Sequence, residues 1–183
     1  FHEWHSNVYY AVDFLALAFL AEFAADPGIR ALAATAISRL SFDLALNSHR
    51  GTFGTPHART YPGNVTDGRT DGTAGVSRLL WGIGALGDLN ATVPLALAES
   101  YRLPSVIAAL ATNPPPEVWN RQRQAGVLDP AVDHFSGAWE ANTVMYRTTD
   151  TMLASVQSHR PGQRGNMQHV WQATLAPDAV AFV

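Results

Sequence analysis

The sequence predicts an α+β protein in which helices come first and strands follow. Apolar residues recur at spacings of three and four over the first half of the chain, as in helices with a buried face. After Gly137 the pattern changes to segments that mix β-forming and polar residues. This order indicates a helical part, residues 1–112, then a linker, residues 113–137, and a β part, residues 138–183.

The first two helices are predicted to form a hairpin. They run from about Val8 to Ala25 and from about Ile29 to Leu46, and Asp26-Pro27-Gly28 separates them. Proline is favourable at the first position of a helix, and so short a turn is typical of an αα-hairpin. The first helix is apolar on two opposite faces and is therefore predicted to be buried on both sides. One face carries Val8, Val12, Leu15, Phe19 and Phe23, and the other carries Ala11, Phe14 and Ala18.

A long polar segment, residues 47–71, follows the hairpin and is rich in glycine and proline. A loop of this length in a compact domain is usually functional or disordered, and its histidine, arginine and tyrosine residues favour function. Segments from about Ala74 to Leu86 and from about Val93 to Ala111 are predicted as helices, the second broken near Pro104. Residues from about Glu117 to Gly126 are predicted as a short helix or an irregular crossing.

The β part contains several strand-like segments, the clearest being Met152 to Gln157 and Val170 to Leu175. The chain begins at Phe1 and stops at Val183, inside what is predicted to be a further strand. A strand cut there would leave an unpaired edge. We therefore expect this chain to be an incomplete piece of a longer protein.

Composition narrows the classes of partner. Of the 183 residues 47% are apolar and only 15% charged, which is typical of a packed protein rather than a disordered one. A net charge of -3 without a basic stripe argues against a nucleic-acid partner. No membrane span is expected, because Asp13 and Glu22 interrupt the first apolar stretch. The chain has no P-loop and no dinucleotide fingerprint, so we expect no cofactor.

Four segments carry a resemblance to a known group of enzymes. They are the aromatic lead-in Glu3-Trp4-His5-Ser6-Asn7-Val8-Tyr9-Tyr10 with the helical hairpin after it, a Gly-x-x-His-x-Arg-x-Tyr loop from Gly54 to Tyr61, the run from Met145 to Leu153, and the run from Gln168 to Leu175. Together these segments resemble the heparinase II/III-like and related enzymes of polysaccharide breakdown.

The resemblance implies a fold, a substrate and a location. The fold would be mainly α: a partial (α/α) toroid of helical hairpins followed by the start of an antiparallel β-sandwich. A polysaccharide or oligosaccharide would lie in a groove across the open end of the toroid. The resemblance also implies that the full-length parent is secreted or periplasmic.

One loop holds the residue types that a polysaccharide lyase needs. β-Elimination on a uronic-acid polymer requires neutralisation of the carboxylate, a base for the neighbouring proton and an acid for the leaving oxygen. His57, Arg59 and Tyr61 stand at alternate positions, so an extended loop would point all three to one side. We predict His57 as the base, Tyr61 as the acid and Arg59 as the carboxylate partner. The alternative is a hydrogen-bonded structural loop.

The segment before the first helix is predicted to bind substrate. Asn7, Tyr9 and Tyr10 lie where a helix N-terminus would favour an anionic group. Trp4 is an aromatic ring suited to the C–H face of a sugar. Glu3 lies beside Trp4, and an indole can raise the pKa of a carboxyl group packed against it.

Two other functions stay open. A glycoside hydrolase needs a pair of carboxyl groups, and no spacing singles out a pair among Glu3, Asp13, Asp67, Asp71 and Glu140. A non-catalytic helical carbohydrate-binding or scaffold protein is the second alternative.

His2 and His5 have a spacing that could ligate a metal, but no further ligand stands at a recognised zinc spacing, so no metal site is predicted.

Overall fold

A computed structural model describes residues 4–87, 92–125, 140–157 and 169–183. The described helices are α1 (Tyr9–Phe23), α2 (Pro27–Leu46), α3 (Pro62–Val65), α4 (Ala74–Trp81), α5 (Val93–Leu97) and α6 (Ser105–Thr112). The described strands are β1 (Ser48–His49), β2 (Thr52–Phe53), β3 (Glu117–Ala125), β4 (Glu140–Thr148), β5 (Met152–Gln157), β6 (Trp171–Ala176) and β7 (Ala179–Phe182).

The predicted hairpin is confirmed by α1 and α2. Asp26 caps α2, because its Oδ1 accepts hydrogen bonds from the backbone N–H groups of Gly28 at 2.6 Å and Ile29 at 3.4 Å. Pro27 occupies the first helical position, where its missing N–H leaves no bond unmade. The Arg30 guanidinium donates to the Ala24 carbonyl at 2.6 Å and so closes the turn from the other side.

Only one of the two apolar faces of α1 is buried. Phe14 and Ala18 lie in the core with Ile37, Leu44 and Phe53. On the opposite face Val12, Phe19 and Phe23 are 48%, 49% and 74% exposed. The prediction that α1 is buried on both sides is therefore wrong for the described part of the chain, where α2 and α5 cover the face that carries Phe14.

The larger sheet has five antiparallel strands in the order β3-β4-β5-β6-β7. Its inner face packs on the C-terminal end of α2, with Met145 and Met152 buried and Leu46 beside them. A polar contact joins the same layers, since the Gln122 side chain donates to Asp43 Oδ1 at 2.7 Å. The helical layer thus covers one side of the sheet.

The expected partial toroid followed by a β-sandwich is wrong. The described helices form one long hairpin and four short helices, and the described strands form one five-stranded sheet and one two-stranded sheet. The described helices after α2 are short, with four residues in α3, eight in α4, five in α5 and eight in α6. The glycine- and proline-rich segment 47–72, which disfavours long helices, separates α2 from α4. Such short helices make no second full-length hairpin. The fold is α+β, with a helical layer on one face of an antiparallel sheet.

Residues 117–125 form a strand, not the short helix or irregular crossing predicted for residues from about Glu117 to Gly126. β3 pairs with β4 over nine residues, from Glu117 opposite Thr148 to Ala125 opposite Glu140. Of the expected linker, 113–137, these residues belong to the sheet, and 126–137 lie outside the described residues. Among the described helices none is long and apolar enough to cross a membrane, as the sequence predicted.

Candidate functional site

The structure buries His57, the predicted catalytic base. Its side chain is 1% exposed, and its Nδ1 is hydrogen-bonded to the backbone oxygen of His5. The ring lies among other rings, with centroid distances of 5.2 Å to Phe53 and 4.8 Å to His169. Burial lowers the pKa of His57 well below its ordinary value, so the imidazole is neutral. In this conformation His57 is a core side chain and does not face solvent.

The two other predicted catalytic residues lie nearer the surface. Arg59 is half-buried, and its guanidinium carbon lies 5.7 Å from the centroid of the Tyr9 ring. Tyr61 is half-buried and immediately precedes α3. The Ser6 hydroxyl donates to the Arg59 carbonyl at 3.0 Å and ties the loop to the chain before α1. The structure therefore brings Arg59 to Tyr9, while His57 points into the core.

The predicted substrate-binding residues are divided between core and surface. Asn7 and Tyr10 are buried, and the Asn7 side chain donates to the Asn64 carbonyl at 3.0 Å. Burial raises the pKa of the Tyr10 hydroxyl, which makes it a poorer acid. Trp4 and Tyr9 are half-buried, and Glu3 lies outside the described residues.

The carboxyl groups named for a hydrolase are engaged in structural contacts where they are described. Asp67 pairs with Arg69 at 2.6 Å on the surface. Asp71 is buried and accepts hydrogen bonds from the backbone N–H and hydroxyl of Thr73, at 2.6 and 2.7 Å, just before α4. Burial raises the pKa of Asp71 to about 7. Asp13 is half-buried, and the Glu140 side chain lies outside the described residues.

A pocket of about 300 Å³ lies where the turn between β1 and β2 meets the ends of α6 and β4. Arg147, His49, Arg50 and Asn113 supply polar groups to its wall, and Trp81 supplies an aromatic ring. None of the described residues that line it is acidic. We call this cavity the Arg147 pocket.

Arg147 is the most unusual side chain in this pocket. It is the last inward-facing residue of β4, it is 4% exposed, and its Nη1 donates to the carbonyl oxygens of Ser48 and Ala45. Its Nε and Nη2 have no hydrogen-bond partner within the described part of the chain. Burial lowers the pKa of the guanidinium, but arginine keeps its charge at neutral pH. Burying a cation that has two unpartnered hydrogen-bond donors costs folding free energy unless an anion pairs with it.

His49 and Arg50 add to the positive character of the pocket. Burial, followed by the charges of Arg50 and Arg147, lowers the pKa of His49, so its imidazole is neutral at pH 7. His49 Nε2 is buried and lacks a hydrogen-bond partner among the described residues. Arg50 donates to the carbonyls of Leu175 at 3.0 Å and Thr149 at 3.2 Å, which fixes the turn against the large sheet.

The local sequence explains the position of the turn. Arg50 and Gly51 have φ angles of 51° and 84°, and they join the paired residues His49 and Thr52 as a two-residue hairpin loop. Two positive φ angles match the twist of the flanking strands, which is why such loops favour glycine. The turn holds His49 and Arg50 beside Arg147.

Sequence reasoning missed the Arg147 pocket. His49 and Arg50 belong to the loop that was predicted to be functional, but the residues chosen there were His57, Arg59 and Tyr61. In the sequence, Arg147 stands out only as an arginine within a run of β-forming residues. The pattern does not show that the side chain is buried, because Ala45 and Ser48, whose carbonyls accept its hydrogen bonds, lie in a distant part of the sequence.

No protein-family model matches the chain, and neither a curated protein nor a solved structure matches it. The site is therefore interpreted from its own geometry. Within the described ranges no three histidine, aspartate or glutamate side chains lie close enough together to hold a metal ion. The chemistry on which a function can be proposed is that of a buried arginine, a neutral histidine and a tryptophan in one pocket.

Proposed function

We propose that the protein recognises an acidic glycan and that Arg147 binds the carboxylate of a uronic-acid residue in the Arg147 pocket. The observation that carries the proposal is the buried guanidinium with two vacant donors, Nε and Nη2. These two nitrogens lie on one edge of the planar group and can donate in parallel to the two oxygens of a carboxylate. Trp81 in the same wall supplies an apolar ring for the C–H face of the sugar.

His49 favours β-elimination as the reaction at this pocket. A neutral imidazole with an unpartnered Nε2 is a suitable base for the proton on the carbon beside the carboxylate. As His49 takes that proton, the electron pair forms the new carbon–carbon double bond and the glycosidic oxygen leaves with a proton from water. Arg147 would stabilise the negative charge that develops on the carboxylate. This proposal keeps the lyase reaction expected from the sequence but moves the base from His57 to His49.

Binding is tested by calorimetric titration of the wild-type protein and of Arg147→Gln with a panel of acidic polysaccharides and their free uronic acids. We expect Arg147→Gln to weaken binding by about tenfold or more, because a hydrogen bond to a charged group contributes about 1.5–3 kcal/mol. Arg102→Gln is the matched control, since Arg102 is exposed, donates to the Tyr101 carbonyl at 3.0 Å and does not line the pocket. Equal affinities of wild type and Arg147→Gln would overturn the proposal.

The reaction is tested by the ultraviolet absorbance of an unsaturated uronate product. We expect wild type to generate the absorbance, His49→Gln to abolish it, and a folded His57→Gln variant to retain it. Loss of the absorbance with His57→Gln at unchanged circular dichroism would return the role of base to His57. New reducing ends without absorbance would indicate a hydrolase, and binding without either product would indicate a non-catalytic glycan-binding protein.

A further inference from the structure

The face of the large sheet that points away from the helices carries a row of apolar side chains. Trp119 on β3 stands opposite Tyr146 on β4, and Tyr146 stands opposite Leu153 on β5. Trp119 is 61% exposed and Leu153 is 53% exposed. The rings of Trp119 and Tyr146 have centroids 4.6 Å apart and planes tilted by 37°. We call these three residues the aromatic row.

The aromatic row crosses β3, β4 and β5 two residues from the rim of the Arg147 pocket. Thr148, which lines the pocket, pairs with Glu117, and both stand two residues along their strands from the pair Trp119 and Tyr146. Two residues of a β-strand span about 7 Å. Arg147 faces the helical layer and Trp119 the opposite face, so an extended molecule that reaches both passes round the end of β3 and β4, at Glu117 and Thr148.

The charges beside the row select the kind of molecule. Arg121 and Arg123 follow Trp119 at alternate positions of β3, so both project from the same face, and both are exposed. Glu117 is hydrogen-bonded to the Tyr146 side chain. Aromatic rings with two arginines beside them suit a ligand that has apolar ring faces and negative charges, as a chain of uronic-acid residues has.

We infer that the aromatic row is a second binding surface, on which the sugar residues adjoining the one held by Arg147 stack. The inference rests on the proposed function, because it takes the same acidic glycan as its ligand. It adds that the ligand is a chain rather than a single sugar and that it crosses the outer face of the sheet along Trp119 and Tyr146.

The experiment compares short and long ligands on the same protein. Glucuronate and hyaluronan oligosaccharides, and galacturonate and oligogalacturonates, are titrated into wild type, Trp119→Ala and Arg147→Gln. Phe23→Ala is the matched control, since Phe23 is an exposed aromatic residue on α1, 74% exposed. We expect Trp119→Ala to weaken oligosaccharide binding by at least about fivefold and to leave uronate binding unchanged, because a stacked ring contributes about this much affinity. Phe23→Ala should change neither affinity.

Each other outcome has a definite meaning. If oligosaccharides and uronates bind, and Trp119→Ala binds the oligosaccharides as wild type does, the inference is overturned while the proposed function stands. If Trp119→Ala weakens the oligosaccharides and Arg147→Gln has no effect, the proposed pocket fails, and the inference fails with it, because Arg147 then holds no neighbouring sugar. If no ligand binds to wild type, both fail. Sedimentation of a wild-type dimer that Trp119→Ala converts to a monomer would show that a second copy covers this face, which also overturns the inference.

Discussion

The imidazole ring of His57 lies edge-on to that of His169, with 4.8 Å between the two ring centroids. A backbone hydrogen bond from His169 N–H to the His57 carbonyl, at 3.3 Å, holds the two segments together. His5 lies on the other side of His57, which is bonded to its backbone oxygen. Three segments that are distant in sequence thus meet at a cluster of buried histidines, which we call the histidine cluster: His5, His57 and His169.

The histidine cluster predicts that the protein loses stability in mild acid. Burial lowers the pKa of His5 to about 3 and that of His169 to about 4, and lowers that of His57 well below 6.5. Between these values and 6.5 the unfolded chain binds protons that the folded chain does not, so stability falls as pH falls. Each histidine contributes up to about 1.4 kcal/mol per pH unit in this window. Asp71, with its pKa raised to about 7, contributes in the opposite direction, because in this window the folded chain binds one proton there that the unfolded chain lacks.

The measurement is the free energy of unfolding in urea at several pH values between 7 and 5. We expect the free energy of unfolding to fall by about 1–3 kcal/mol for each unit by which the pH is lowered, because the contributions of the three histidines exceed that of Asp71. His169→Gln should reduce the slope by about 1.4 kcal/mol per pH unit, because one of the three groups no longer titrates on unfolding. Stability that is constant from pH 7 to pH 5 would contradict the prediction.

The hairpin could be predicted from sequence because its signals are local. Asp26 and Pro27 determine where α2 begins through contacts within three residues, and apolar spacing identifies the helices on either side. Strand β3 could not be predicted in the same way, because its inward-facing positions include Asn120 and Gln122. Their side chains bind Asp43 on α2 and Asn47, the residue after α2, so the partners that make polar residues acceptable there lie far away in sequence.

The same distinction separates the predicted site from the observed pocket. Alternation at His57, Arg59 and Tyr61 suggested a shared direction, but His57 is drawn inward by His5 and His169, neither of which the loop itself reveals. The importance of Arg147 likewise depends on Ser48, from the other half of the chain. A sequence pattern identifies residue types suited to a reaction, whereas the fold decides which of them line a pocket, as His49 and Arg147 do.

Asp71 provides a test of a single buried carboxyl group. Its pKa of about 7 is above the ordinary 3.8, so between these values the folded state binds a proton that the unfolded state lacks. Stability from this group is therefore present at low pH and is lost as pH rises through 7. Because Asn does not titrate, the free energy of unfolding of Asp71→Asn relative to wild type should increase by about 1.4 kcal/mol for each unit by which the pH rises between 5 and 7.

The measurement for Asp71→Asn is the difference in urea midpoint from wild type at pH 5 and at pH 7. Asp178→Asn is the control, because Asp178 is an exposed carboxyl on the surface. A pH-independent difference for Asp71→Asn would mean that Asp71 does not carry the raised pKa.

Arg147→Met should separate stability from binding. The substitution keeps an unbranched side chain in the pocket and removes a buried cation that no described carboxylate pairs with. Replacing a buried charge by an apolar group is often neutral or stabilising, although here the Ser48 carbonyl loses a donor. We expect the melting temperature without ligand to equal or exceed that of wild type, and the rise in melting temperature with uronate to disappear. A melting temperature several degrees lower without ligand would instead make Arg147 a structural residue.

Gly51 is required by the turn that carries His49 and Arg50. Its φ angle is 84°, and a Cβ atom there would lie 2.8 Å from the Cα of Gly84, so both the backbone conformation and the space exclude a side chain. Gly51→Ala should lower the free energy of unfolding by about 2 kcal/mol or more, since a left-handed conformation alone costs an alanine about 1–2 kcal/mol. Because Gly51 also lines the Arg147 pocket, Gly51→Ala should weaken uronate binding when measured at a temperature where the variant remains folded.

Gly63→Ala is the control for Gly51→Ala, because a Cβ atom at Gly63 would meet nothing within 4 Å. It should change the free energy of unfolding by less than about 0.5 kcal/mol, as surface substitutions usually do. The measurement is the urea midpoint of each variant beside that of wild type. Equal midpoints for Gly51→Ala and Gly63→Ala would show that the turn between β1 and β2 does not need the left-handed conformation, because the strain at Gly51 would then contribute nothing to the difference.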